Sequence, residues 1–108
     1  MTVALAHDQQ GEGPLLVLVH GITENRHSWD PIVADLAANH RVLRVDLRGH
    51  GESPKADGYD IADLAADVEA LVDEVPLLVG HSLGGTVVTA YAAQFPVRGV
   101  VNIDQSLN

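Results

Sequence analysis

Leu77-Leu78-Val79-Gly80-His81-Ser82-Leu83-Gly84-Gly85, continued by Thr86-Val87-Val88-Thr89-Ala90-Tyr91-Ala92-Ala93, is the stretch whose reading decides the fold. An apolar run rich in Leu and Val enters Gly-x-Ser-x-Gly, and an Ala/Val stretch of helical character follows. That order is strand, sharp turn, helix, with a serine at the apex: the layout of a nucleophile elbow. So tight a turn strains the serine backbone and lifts its hydroxyl clear of the sheet. Side chains two before and two after Ser82 would collide, which accounts for Gly80 and Gly84. Gly85 lets the helix lie close to the neighbouring strand. The helix N-terminus aims free N–H groups and a positive dipole end at the place where an oxyanion would form. A bare Gly-x-Ser-x-Gly arises by chance at roughly 3 in 10,000 positions, so the strand and helix around it carry the weight.

Composition narrows the setting. The 108 residues suffice for one small domain, and hydrophobic residues at 46% supply a core. Six Lys and Arg against fifteen Asp and Glu give a formal charge of −9. That balance repels nucleic acid and anionic lipid, and no basic stripe offsets it. With no cysteine there is no disulfide or thiol chemistry. The N-terminal residues carry no basic leader, and the longest apolar run, Leu15 to Val19, is too short to span a bilayer. The expected setting is cytoplasmic.

Outward from the elbow, Thr2–His7 reads as a short strand and Gln9–Pro14 as a turn. The unbroken run Leu15–Val19 has the character of a strand buried on both faces of a parallel sheet. His20–Arg26 is a polar loop. Asp30 then serves as N-cap and Pro31 as the first residue of a helix running to about Ala38. Arg41–Asp46 is a strand, and 47–57 a loop punctuated by Gly49 and Gly51. Asp60 caps a second helix, on which Ile61, Leu64, Ala65, Val68, Leu71 and Val72 recur at helical spacing. Carboxylates on the 60–74 helix are expected to form its solvated face. Pro76 opens the strand 77–81, Thr86–Gln94 is the third helix, and Arg98–Ile103 the last strand. Strands alternating with helices predict an α/β fold: a mostly parallel sheet of about five strands with three helices. In such a sheet the active crevice lies at the carboxyl ends of the strands. Ser82 and the Gly21–Ile22 loop both sit there, and they face each other if strands 15–19 and 77–81 are neighbours.

Three motifs then stand in order: His20-Gly21-Ile22, Asp46-Leu47-Arg48-Gly49-His50-Gly51-Glu52-Ser53, and Gly80-His81-Ser82-Leu83-Gly84-Gly85. Together, from about Leu5 to Asp104, they resemble the α/β-hydrolase fold, most closely its compact serine esterase, C–C hydrolase and perhydrolase branch. The resemblance implies that Ser82 is the nucleophile, with the backbone N–H groups of Ile22 and Leu83 as the two oxyanion donors. It also places strands 15–19 and 77–81 side by side. Thr2–His7 fits the family's second strand, leaving its first without a counterpart. Family chains are about twice this length or more. The segments that usually carry the catalytic acid and histidine have no counterpart here, so the chain reads as a single, incomplete core domain, 1–108, the N-terminal half of such a hydrolase.

The remaining candidates follow from position. Gly21, His27 and His81 line the mouth of the site as substrate-binding residues, with a solvated loop histidine the alternative for His27. Asp104, ending the last strand, is either the triad acid or a loop-tying carboxylate. His20 and His50 are expected to be structural, Trp29 to anchor its loop, and Asp46 to bond the Arg48–Ser53 turn. No cluster has metal-ligand spacing and no cofactor is expected. The reading is a serine hydrolase of carboxylic esters or related acyl substrates, with a small-molecule ester substrate. Its base comes from a C-terminal half chain or is improvised from the resident histidines. The alternative is a catalytically silent scaffold that self-associates through its exposed sheet edge.

Overall fold

A computed structural model describes residues 2–103 as a five-stranded sheet of order β1-β3-β2-β4-β5. The strands are β1 (His7–Gln10), β2 (Leu15–Val19), β3 (Arg41–Val45), β4 (Leu77–His81) and β5 (Gly99–Ile103). Three helices join them, α1 (Asp30–Ala37), α2 (Ile61–Glu69) and α3 (Leu83–Gln94), with a short 3-10 turn at Arg26–Trp29 before α1. All pairings are parallel except β1 with β3. β2 and β4 are direct neighbours, with Val19 opposite Gly80, as the sequence reading requires.

Every residue of β2 is buried, and its alternation supplies both layers. Leu15, Val17 and Val19 pack with Leu64, Ala65 and Val68 of α2 and with Val87, Val88 and Tyr91 of α3. Leu16 and Leu18 face the other way, onto Trp29 and Val33. The sheet is thus sandwiched, with α1 on one face and α2 and α3 on the other. Burial on both faces explains why β2 reads as a continuous aliphatic run.

Several expectations need correction. The first strand is His7–Gln10 rather than Thr2–His7. Val3 and Leu5 drop into the core, and the backbone of 3–6 bonds elsewhere: Val3 N–H to Asp67, Ala6 N–H to Ser53 Oγ, and the Ala6 carbonyl to Asp46 N–H. Gln9 and Gln10 therefore belong to an edge strand, and the turn begins at Gly11 (φ 86°). Asp30 is the first residue of α1 and not its cap, because its backbone is already helical (φ −49°, ψ −41°) where the 3-10 turn runs into α1; its carboxylate accepts from Arg44 Nη1 instead. Asp60 does occupy the N-cap of α2, but with no side-chain capping bond. Helix α2 stops at Glu69, its pattern to Val72 relaxing into turns in which Leu71 and Val72 N–H reach back three residues. Asp67 overturns the solvated-face expectation, being 1% exposed and gripped by Arg48. Helix α3 starts three residues early, at Leu83. Glycines are poor helix formers, yet Gly84 and Gly85 stand in the first turn of α3 because Val19 and Asn102 approach them too closely to admit a side chain.

Candidate active site

The elbow is held by backbone contact. Ser82 sits between β4 and α3 at φ 57°, ψ −115°, outside the ordinary regions for an L-residue. Such a conformation costs on the order of 1–3 kcal/mol and persists only where its surroundings fix it. They do so by crowding. A Cβ on Gly80 would overlap the Gly84 carbonyl oxygen, and one on Gly84 would overlap the Val19 carbonyl oxygen. A Cβ on Gly85 would overlap the Asn102 side chain, whose Nδ2 instead donates to the Gly85 carbonyl at 3.2 Å. Ser82 N–H donates to the Ile103 carbonyl at the end of β5 (3.2 Å), and the Ser82 carbonyl accepts from Gly85 and Thr86 N–H, opening α3. Leu83 is the first residue of that helix, where a backbone N–H has no intrahelical partner.

The loop after β2 approaches the elbow closely. A Cβ on Gly21 would lie 3.2 Å from Ser82 Cβ and 3.2 Å from the His81 carbonyl oxygen. His20, fully buried, sets the Gly21–Ile22 peptide. Leu47 N–H can only donate, and it does so to His20 Nε2 (3.0 Å), so the proton is on Nδ1, which donates to the Gly21 carbonyl (2.7 Å). Burial disfavours the charged imidazolium, holding His20 below the usual histidine range, and His50, with ring centroids 5.1 Å apart, adds to that. A trans peptide sets N–H opposite C=O. Pinning the Gly21 carbonyl to His20 therefore turns the Ile22 N–H away from the imidazole.

Glu24, which the sequence reading passed over, closes this loop. Its N–H donates to the Gly21 carbonyl (3.2 Å) while its Oε1 accepts from Gly21 N–H (2.9 Å). Within the turn, Thr23 stands at φ 64°, a region that β-branched residues seldom enter. Glu24 Oε1 is also 3.5 Å from His81 Nδ1. His81 and Glu24 join Ser28, Trp29, Pro31 and Ile32 around a pocket of about 320 Å³. Trp29 anchors its segment as expected, 6% exposed, and also forms pocket wall; its buried Nε1–H meets no acceptor among the described residues. His27 is exposed and lies 3.5 Å from Asp30, outside the lining of that pocket. Asp104 lies outside the described residues.

Charged groups brace the loop from behind. Asp46 accepts from Arg26 N–H (2.7 Å), Arg26 Nη1 and Glu52 N–H (2.9 Å), tying the 48–53 turn as expected. Burial pushes its carboxyl up, but the Glu52 and Arg26 N–H bonds and the guanidinium outweigh that, so the pKa falls below the ordinary value. Asp8 bridges Arg26 and Arg44, which likewise overcome its desolvation. A second pair is wholly buried: Arg48 Nε and Nη2 clasp both oxygens of Asp67 at 2.7 and 2.9 Å.

Residues 14–107 match a family described as alpha/beta hydrolase fold. The chain is 40% identical over 103 residues to a 2-(acetamidomethylene)succinate hydrolase from Mesorhizobium japonicum, covering 89% of this chain and 37% of that protein. It is 40% identical over 98 residues to a pimeloyl-[acyl-carrier protein] methyl ester esterase from Aliivibrio salmonicida, covering 91% and 38%. Among solved structures, an E-2-(acetamidomethylene)succinate hydrolase superposes with a TM-score of 0.88 at 38% identity, over 94% of this chain and 41% of that one. The chain spans about two fifths of the length of the relatives it matches. No described helix is long and apolar enough to cross a membrane.

Proposed function

Because the chain belongs to the alpha/beta hydrolase fold family, we propose that it carries the nucleophile and oxyanion parts of a serine hydrolase. Its substrates are carboxylic esters or related acyl compounds. The observation that supports this best is the Ser82 backbone at φ 57°, ψ −115°, with Gly21 packed against it. Ser82 Oγ attacks the acyl carbon and the alcohol leaves; water then hydrolyses the acyl-enzyme and regenerates Ser82. The Ile22 and Leu83 N–H groups hold the oxyanion formed in each half-reaction. The pinned Gly21 carbonyl and the free start of α3 support these two donors.

Serine needs a base to remove its proton. His20 does not serve, since Leu47 and Gly21 engage both its nitrogens. The base is a histidine supplied by residues beyond this chain, in keeping with its share of its relatives' length. The pocket beside His81 and Glu24 takes part of a small ester substrate, and the setting is cytoplasmic. In any form of the protein that hydrolyses a p-nitrophenyl ester, Ser82→Ala should abolish turnover. Undiminished hydrolysis would refute the assignment.

A second reading, a scaffold that self-associates, draws on β5. It ends the sheet with Val101 and Ile103 55% and 41% exposed, and open edges invite pairing. An inactive obligate oligomer in sedimentation supports that reading; an active monomer excludes it.

A further inference from the structure

We infer that Glu24 is the positioning residue of the oxyanion loop, fastening the Gly21–Ile22 segment to the elbow strand. The inference rests on the proposed role of that loop and goes beyond it by assigning a task to a residue outside the motif. Glu24 engages Gly21 at both ends: its Oε1 accepts the Gly21 N–H and its own N–H donates to the Gly21 carbonyl. The same Oε1 faces His81 Nδ1 at 3.5 Å, and His81 directly precedes Ser82 on the chain. One carboxylate oxygen thus stands between the loop after β2 and the strand that delivers the nucleophile.

Thr23 gives the arrangement its reason. A β-branched residue held at φ 64° relaxes unless the residues on either side are fixed. His20 fixes only the Gly21 carbonyl, whereas Glu24 fixes the Gly21 N–H as well and closes the turn. An oxyanion donor displaced by a fraction of an ångström loses much of its effect. A neutral glutamine at position 24 can still accept the Gly21 N–H through its amide oxygen, but an alanine cannot. The two substitutions therefore separate the hydrogen bond from the charge.

The test combines site-resolved amide hydrogen exchange with the rate of fluorophosphonate adduct formation at Ser82, in wild type, Glu24→Ala and Glu24→Gln. In Glu24→Ala, exchange at Gly21 should quicken at least about tenfold while the β2 amides of Val17 to Val19 keep their rates, and labelling should slow about tenfold. Glu24→Gln should stay within about threefold of wild type on both readouts. Unchanged Gly21 exchange in Glu24→Ala overturns the inference. So does parallel acceleration in β2, which would mark Glu24 as a contributor to general stability alone. Equal labelling of wild type and Glu24→Ala also overturns it. Labelling is read on the chain together with the segment that supplies the base; if wild type forms no adduct even then, the nucleophile reading fails and Gly21 exchange alone decides the role of Glu24.

Discussion

The two turns that meet at Ser82 are built on opposite principles. The elbow is fixed by backbone against backbone: Gly80 on Gly84, Gly84 on Val19, with no side-chain cap on α3. The loop after β2 is fixed by side chains, with His20 and Glu24 binding Gly21 and the Arg26–Asp46 pair holding the segment behind it. Close packing leaves the elbow no alternative conformation. The loop has alternatives, and each hydrogen bond removes some of them. The proposed nucleophile is thus set mainly by close packing around glycines, with Asn102 the one side chain added at Gly85, whereas the proposed oxyanion donor depends on several side chains at once.

The contrast predicts a graded series. Gly84→Val is the most severe change, since its side chain has nowhere to go but into the Val19 carbonyl. It should cost about 3 kcal/mol or more in urea denaturation, or prevent folding. His20→Ala should cost about 2–3 kcal/mol, because it orphans the Leu47 N–H and opens a cavity. Ser82 labelling in the folded fraction should also slow. Gly21→Ala sharpens the comparison. Its Cβ would sit 3.0 Å from Glu24 Oε1 and 3.2 Å from Ser82 Cβ, which a small shift of the loop relieves. Stability should change by no more than about 1 kcal/mol, while Ser82 labelling falls about tenfold.

The smallest effect lies behind the loop. Asp8 and Asp46 have folded pKa values below the ordinary carboxylate value, so the unfolded chain takes up protons first as pH falls. Their contribution is complete above the unfolded value of about 3.9 and is lost as pH drops through the lower folded values. Denaturation midpoints measured from pH 6 to pH 2 should decline below about pH 4. Arg26→Ala should flatten that decline.

The same contrast decides what the sequence could reveal. The elbow was legible because close packing leaves glycines at fixed offsets, and β2 because burial on both faces leaves an unbroken aliphatic run. The neighbouring placement of β2 and β4 came from the family resemblance, since the alternation of strands and helices alone left it open. Glu24 was not legible: a glutamate in a polar loop reads as solvent-facing, and its bond to Gly21 depends on how that loop turns. Asp67 left a trace that could have been followed. It lies three residues after Leu64 and one before Val68, inside the apolar stripe of α2, where a carboxylate needs a partner. That partner, Arg48, is 19 residues away along the chain. The first strand was misplaced because an edge strand needs no apolar alternation, and Val3 and Leu5 look like strand while serving as core.

The central claim is that Ser82 is a nucleophile presented by its strained turn. Intact-mass analysis after fluorophosphonate exposure tests it most directly, on the chain together with whatever segment supplies the base and beside Ser82→Ala. A single adduct that maps to Ser82 and disappears in Ser82→Ala is the predicted result. An adduct on another residue, or one that persists in Ser82→Ala, would contradict the account.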